Sequence, residues 1–280
     1  MRRITFLLLY FLFGKPVTAQ TLFTNPLLIP PVLAGTFAEI RSNHFHSGID
    51  LRTNESEGLP VLAAADGFVS RIKVSPTGFG KVVYLKHASG YTTVYAHLHH
   101  FNDTLESEQY RKKSFEVELF PPEGSLPVKQ GQLIGFSGNT GSSAGPHLHF
   151  EIRDTQTEMP FNPLSKFNPI PDSLTPVIRN IMVIDYVPFR NTFYPVAKKI
   201  LPVNDPEAAS VEKHDTISYS SLAGIAVETD DRMNGSNALL GVRKIMLKVN
   251  GKVEFHFEAD RFSFSETRFV NACIDYATLI

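Results

Sequence analysis

Between Gly35 and about Asp154 the chain consists of short alternating apolar runs broken by glycine turns, and this rhythm commits it to strand rather than helix. The runs are Val61–Ala64, Gly67–Ile72, Lys81–Leu85, Tyr91–Ala96, Gln132–Gly135 and His147–Ile152. Turns spaced this closely imply antiparallel sheets folded on one another, so the expected fold class is mainly β. With 280 residues, 42% of them apolar, there is material for one large domain or two ordinary ones.

The flanks of this unit differ in composition. Met1-Arg2-Arg3, the apolar stretch Ile4–Phe13 and the small residues Val17-Thr18-Ala19 before Gln20 read as a secretory signal peptide over residues 1–19. The apolar stretch is about half of the ~20 residues a spanning helix needs. Export followed by cleavage is therefore expected, with no stable membrane span left afterwards, and a membrane anchor is the competing reading. Residues 20–34 form an extended, proline-punctuated lead-in, with Thr24–Pro31 expected to wrap over the surface. The first domain covers 35–165 and carries a charged insertion at 101–127. Within the insertion, 104–113 predicts a short helix started by Asp103 or Thr104. The insertion reads either as a solvated loop or as a lid.

Pro160, Pro163, Pro169, Pro171 and Pro176 mark a linker into a second region, 166–280. Strands are expected at Ile178–Tyr186, Thr216–Thr229, Leu240–Val249 and Lys252–Ala259, with Asn250-Gly251 as a hairpin turn. This region reads as β-sandwich-like, and as incomplete, since 276–280 is apolar without a terminating turn. The lone Cys273 cannot form an intramolecular disulfide and reads as a small buried apolar residue. A net charge of −1, with Arg111-Lys112-Lys113 as the longest basic run, argues against a nucleic-acid partner.

Eight of the ten histidines lie between 44 and 149, in the region that also holds the turn glycines. His44-Phe45-His46-Ser47-Gly48-Ile49-Asp50 sets His46 and Asp50 four residues apart, and Gly145-Pro146-His147-Leu148-His149-Phe150 sets two histidines on one face of a strand. A catalytic zinc keeps three protein ligands and one open position, and His46, Asp50 and His149 would complete such a set. Each motif is weak alone; together they point to a metal-dependent hydrolase.

Over roughly Gly35–Arg153 the sequence resembles the LytM or lysostaphin-type zinc metallopeptidases, which cut peptide bonds in bacterial cell walls. The resemblance rests on His46–Leu51, Gly58–Val61, Gly78-Phe79-Gly80, Tyr95–Leu98, Val128–Gly135 and Gly141–Phe150. It implies a lysostaphin-type (duplicated hybrid motif) fold, one Zn2+ held by His46, Asp50 and His149, and His97 and His147 as catalytic histidines without a bond to the metal. It also implies peptidoglycan peptides as the partner and a periplasmic or cell-wall location. No His-Glu-x-x-His motif is present, so a histidine must take the proton; His147 leans toward base and His97 toward oxyanion contact. Asn139, Thr140 and Ser142–Gly145 are expected to line the groove with backbone donors, and His87 to lie at its wall. His44 is expected to support the ligands or face solvent, while His99 shares the face of His97 if the strand continues but is expected to face solvent where the chain enters the charged insertion.

Two other functions stay open at this stage. One is a non-cleaving domain of the same type that binds wall peptide or activates another hydrolase. The other is a carboxyl-terminal adhesion or carbohydrate-binding module, for which the alternating Phe255, Phe257, Phe262 and Phe264 would have to be exposed.

Overall fold

A computed structural model describes residues 22–167, 169–203, 217–272 and 274. The signal segment, Cys273 and the last apolar residues lie outside the described residues. The chain is mainly β and antiparallel, as expected. The first half contains β1 (Leu33–Gly35), β2 (Ile40–Arg41), β3 (His44–Phe45), β4 (Ile49–Arg52), β5 (Pro60–Leu62), β6 (Gly67–Val74), β7 (Lys81–Lys86) and β8 (Tyr91–Leu98). After β9 (His100–Phe101) and helix α1 (Asp103–Tyr110) come β10 (Val117–Leu119), β11 (Pro127–Val128), β12 (Leu133–Phe136), β13 (His147–Asp154) and β14 (Pro160–Phe161).

The main sheet has the order β1-β4-β13-β8-β7-β6-β10, with β11 added to β6 and β14 to β13, and β5-β12-β9 form a second, three-stranded sheet. One face of the main sheet closes the core. Ile49 and Leu51 of β4, Tyr95 of β8, and Leu148, Phe150 and Ile152 of β13 are all fully buried there, each worth about 1.5–3 kcal/mol for the aliphatic side chains. Period-two alternation then sends Asp50, His147, His149, Glu151 and Arg153 to the opposite face, where Val82, Tyr84, Val94 and Ala96 make a smaller apolar patch with Phe79.

Several expectations are corrected here. The helix of the insertion is capped by Asn102, whose side chain accepts from the Leu105 amide, not by Asp103 or Thr104. Asn102 also donates to the Leu133 carbonyl, which fixes the helix start against β12. Instead of remaining an excursion, the insertion returns to the sheet, where β10 pairs with β6. The lead-in does not only wrap: Phe23 and Leu27 are buried in the core. Phe23 meets the ring of His87, which is itself buried and bonded through Nδ1 to the Asp66 carbonyl and through Nε2 to Thr93. His87 is thus a core residue and not a groove-wall residue.

Beyond the prolines, β15 (Val177–Phe189), β16 (Thr192–Pro202) and β17 (Leu222–Asp230) form a three-stranded antiparallel sheet, and β18 (Lys244–Val249) pairs with β19 (Lys252–Glu258). Asn250 and Gly251 both adopt positive φ (51° and 82°), as the hairpin signal requires. β16 was not anticipated; its exposed pattern of Lys, Tyr and Pro lacks a clean alternation. Met233, Leu240, Ala259 and Val270 are buried, and the first three join the core of the amino-terminal sheet. Among the described residues no helix is long and apolar enough to cross a membrane.

Candidate metal centre

Register brings the centre together. In the antiparallel pair of β4 and β13, His149 stands directly opposite Asp50, so their side chains are cross-strand neighbours on the same face. His46, in the turn just before β4, adds a third group. The atoms His46 Nε2, Asp50 Oδ1 and His149 Nδ1 make a nearly equilateral triangle: 3.0 Å between the two nitrogens, and 3.0 and 2.9 Å from each to the oxygen. Among the described residues these three are the group of metal-ligating type that could hold an ion.

Hydrogen bonds behind the rings set which nitrogen faces inward. His46 Nδ1 lies 2.7 Å from the Thr36 carbonyl and must donate to it. His149 Nε2 lies 2.9 Å from Glu151 Oε1 and must donate likewise. Each neutral ring therefore turns a lone pair toward its neighbour and toward the Asp50 carboxylate. Three acceptors face one another, an arrangement that is repulsive unless a cation stands among them. Ligand atoms around a tetrahedral zinc with bonds of ~2.0–2.1 Å are ~3.3 Å apart, and the observed triangle is close to that size. The residues fit the metal.

The protonation of the site agrees with this reading. Burial works against a charge on His149, but hydrogen bonds to Asp50 and Glu151 outweigh it and lift its pKa to about 9. Burial would also raise Asp50, yet His46 and the hydrogen bonds from His147, His149 and His46 hold it well below the usual carboxylate range. Glu151 is buried as well, and Arg153 and His149 bring it down to about 2. Without a metal, the proton on His149 takes the cation's place. Metal uptake at pH 7 is accordingly expected to release about one proton per ion, and apparent affinity to fall about tenfold for each pH unit below 9. Calorimetry in buffers of different ionisation enthalpy measures this; uptake without proton release would contradict it.

His97 and His147 complete the face, with ring centroids 4.8 Å apart. His97, next to last in β8, has a φ of 60°, a left-handed conformation that costs a non-glycine residue on the order of 1–3 kcal/mol. Strict alternation would send it into the core with Tyr95; a register shift opposite Lys81 and Val83 and this φ carry it to the metal face instead. Burial, together with the neighbouring His149 and His147, lowers its pKa to about 4, so it is neutral at working pH. Its Nδ1 donates to the Thr140 carbonyl at 2.8 Å, and His147 Nδ1 donates to the Gly145 carbonyl at 2.8 Å. The segment expected to offer backbone donors thus supplies carbonyl acceptors that orient both rings. His147 Nε2 lies 3.5 Å from Asp50 Oδ1. His44 is exposed, and His99 pairs with Glu57 at 2.8 Å, away from the centre.

Sequence reasoning missed the supporting residues. Glu151 receives hydrogen bonds from Ser47, His149 and Arg153. Arg41 bonds the other oxygen of Asp50 at 3.1 Å, leaving Oδ1 for the metal. Phe79 stacks on His149 with centroids 5.0 Å apart. Gly35 is required beside them, because a Cβ there would come within 2.5 Å of Asp50 Oδ2 and 2.6 Å of the Arg41 guanidinium.

Comparison with known proteins bears on the same residues. The catalytic domain of lysostaphin from Staphylococcus simulans matches at 26% identity over 46% of this chain and 86% of that domain, with a TM-score of 0.36. The DD-carboxypeptidase/endopeptidase Mpg of Neisseria meningitidis serogroup B is 38% identical over 45% of this chain. An uncharacterized metalloprotease of Haemophilus influenzae is 39% identical over 38% of it, and the peptidoglycan DD-endopeptidase ShyC of Vibrio cholerae 36% over 34%. The matches span only 24%, 18% and 17% of those relatives' own lengths. The sequence model of peptidase family M23 matches residues 44–113 and 123–163, which include all five histidine and aspartate positions of the centre. Residues 44–113 and 123–163 of this chain thus match peptidase family M23.

Proposed function

We propose that the protein is an exported zinc endopeptidase that hydrolyses peptide bonds of peptidoglycan, in the stem or the cross-bridge. The observation that carries this reading is the convergence of His46 Nε2, Asp50 Oδ1 and His149 Nδ1 beside two more histidines. Relatives named as peptidoglycan endopeptidases support the substrate class. One zinc per peptidase domain, held by those three atoms, would polarise the scissile carbonyl and lower the pKa of water toward ~7.

The chain's own residues divide the proton work. His97 is neutral and its Nδ1 hydrogen is committed to Thr140, so Nε2 is the lone-pair side of the ring and accepts a proton. His147 has its Nδ1 hydrogen committed to Gly145 and its Nε2 3.5 Å from Asp50 Oδ1, on the metal side of the ring, where Nε2, when it carries a hydrogen, can donate to the developing oxyanion. This proposal exchanges the two roles read from sequence, on the lowered pKa of His97 and the nearness of His147 Nε2 to Asp50. The two rings lie with centroids 4.8 Å apart, so a proton taken by one can be returned by the other.

A cleft of about 400 Å³ is lined by Thr140, whose carbonyl bonds His97, by Gly141, and by Phe115 and Glu116 of the insertion. Phe115 is 98% exposed, which suits a side chain that is covered only when peptide enters. Phe115→Ala is expected to raise KM about fivefold with kcat unchanged, from partial burial worth about 1 kcal/mol. An unchanged KM would remove the insertion from the substrate groove.

The test of the function is incubation of the protein with isolated wall fragments. New amino termini that disappear with a chelator are expected. Fragments that bind but stay intact would favour the non-cleaving reading.

A further inference from the structure

The loop that carries His46 is held from far along the chain. Thr36 is its knot. The Thr36 carbonyl orients His46, and the Thr36 amide donates to Glu39 Oε2 at 2.9 Å. Glu39 in turn pairs with Arg41 at 3.5 Å, and Arg41 with Asp50 at 3.1 Å. Two of the three ligands are thus aligned through one residue. The Thr36 hydroxyl spends both its donor and an acceptor site on a single partner 205 residues away, donating to the Gly241 carbonyl at 3.1 Å and accepting from the Gly241 amide at 3.0 Å.

Neighbouring contacts repeat the pattern. The Phe45 amide donates to Thr267 Oγ1 at 2.8 Å, and the Phe262 ring packs on Phe37 and Phe45 with centroids 5.3 and 5.6 Å apart. The third ligand is reached from the same side: Phe264 lies 4.7 Å over the Arg153 guanidinium, which holds Glu151 against His149. Gly241 permits the approach, since a Cβ there would meet Thr36 Oγ1 at 3.0 Å and Glu39 Cγ at 3.1 Å.

We propose that the carboxyl-terminal stretch from Gly241 to Thr267 is a working part of the metal centre, and that Thr36 is the positioning residue through which it sets His46 and Asp50. The inference rests on the metal-centre reading above. Hydrogen-bond partners behind metal ligands are worth about 10–100-fold in metal affinity, and here those partners are themselves fixed by a part of the chain outside the M23 match. The carboxyl-terminal stretch therefore sets the strength of metal retention.

The test uses the full chain, stripped of metal and titrated with zinc against a chromophoric chelator. Thr36→Val keeps the carbonyl and amide but removes the hydroxyl; it is expected to weaken zinc binding about 10–100-fold while the metal-free melting temperature stays near that of the parent. Thr36→Ser restores the hydroxyl and is expected to restore binding. If Thr36→Val does not fold, Gly241→Ala decides by the same titration, with weaker binding expected because its Cβ presses on Thr36 and Glu39. Parent-like zinc affinity in the folded variant would overturn the proposal alone. A parent protein that takes up no zinc would instead overturn the metal-centre reading.

Discussion

Replacing His149 with alanine is expected to strip zinc from the centre and bring peptide hydrolysis to background. A four-ligand zinc site is worth about 10–16 kcal/mol, or roughly 3–4 kcal/mol per ligand, so the loss corresponds to about 10²–10³-fold in affinity before any rearrangement. Rearrangement adds to it. The missing ring also withdraws a hydrogen bond from the fully buried Glu151 and from Asp50 Oδ1. Glu151 keeps Arg153 and Ser47, so the folded state is expected to lose about 3 kcal/mol or less. Metal analysis after gel filtration, with a denaturant melt alongside, checks both parts. Full zinc occupancy in the variant would refute the assignment of His149 as a ligand.

His147→Ala is expected to act differently, leaving zinc bound within a few-fold of the parent and lowering kcat by about 10²–10⁴. The ring contributes no atom to the triangle of ligands; its Nε2 stands 3.5 Å from Asp50 Oδ1, and its fold-forming contact, the backbone amide to the Gly138 carbonyl, survives the change. With His97 and His147 acting as the proposed pair, the double replacement is expected to cost little more than either single one. Steady-state kinetics on a defined wall peptide, with zinc content measured on the same samples, checks this. A variant retaining more than a tenth of kcat would remove His147 from the proton transfer.

Much of the site was legible because it lies on regular strand. The structure brings His149 and Asp50 to one face, since each sits in a run whose alternate members are apolar, Leu148 and Phe150 in one strand, Ile49 and Leu51 in the other. The same alternation puts Glu151 and Arg153, two and four residues beyond His149, on that face, although a buried Glu–Arg pair carries no local signature of metal support. His97 was placed by resemblance alone. Its side chain reaches the metal face only through a positive φ that no alternation foretells. His87 was misplaced because its burial depends on Phe23, which arrives from the lead-in. Thr36 and Gly241 meet across 205 residues, a contact without any local signature. Strand faces follow from composition along a few residues, whereas contacts between remote loops follow from how the sheets stack.

Zinc K-edge X-ray absorption on the metal-reconstituted full chain tests most directly whether the converging lone pairs hold an ion. One equivalent of zinc is expected, with nitrogen and oxygen neighbours at about 2.0–2.1 Å, imidazole scattering from two rings and no sulfur. Uptake well below one equivalent, or a spectrum unchanged when His46 and His149 are both replaced, would contradict the account.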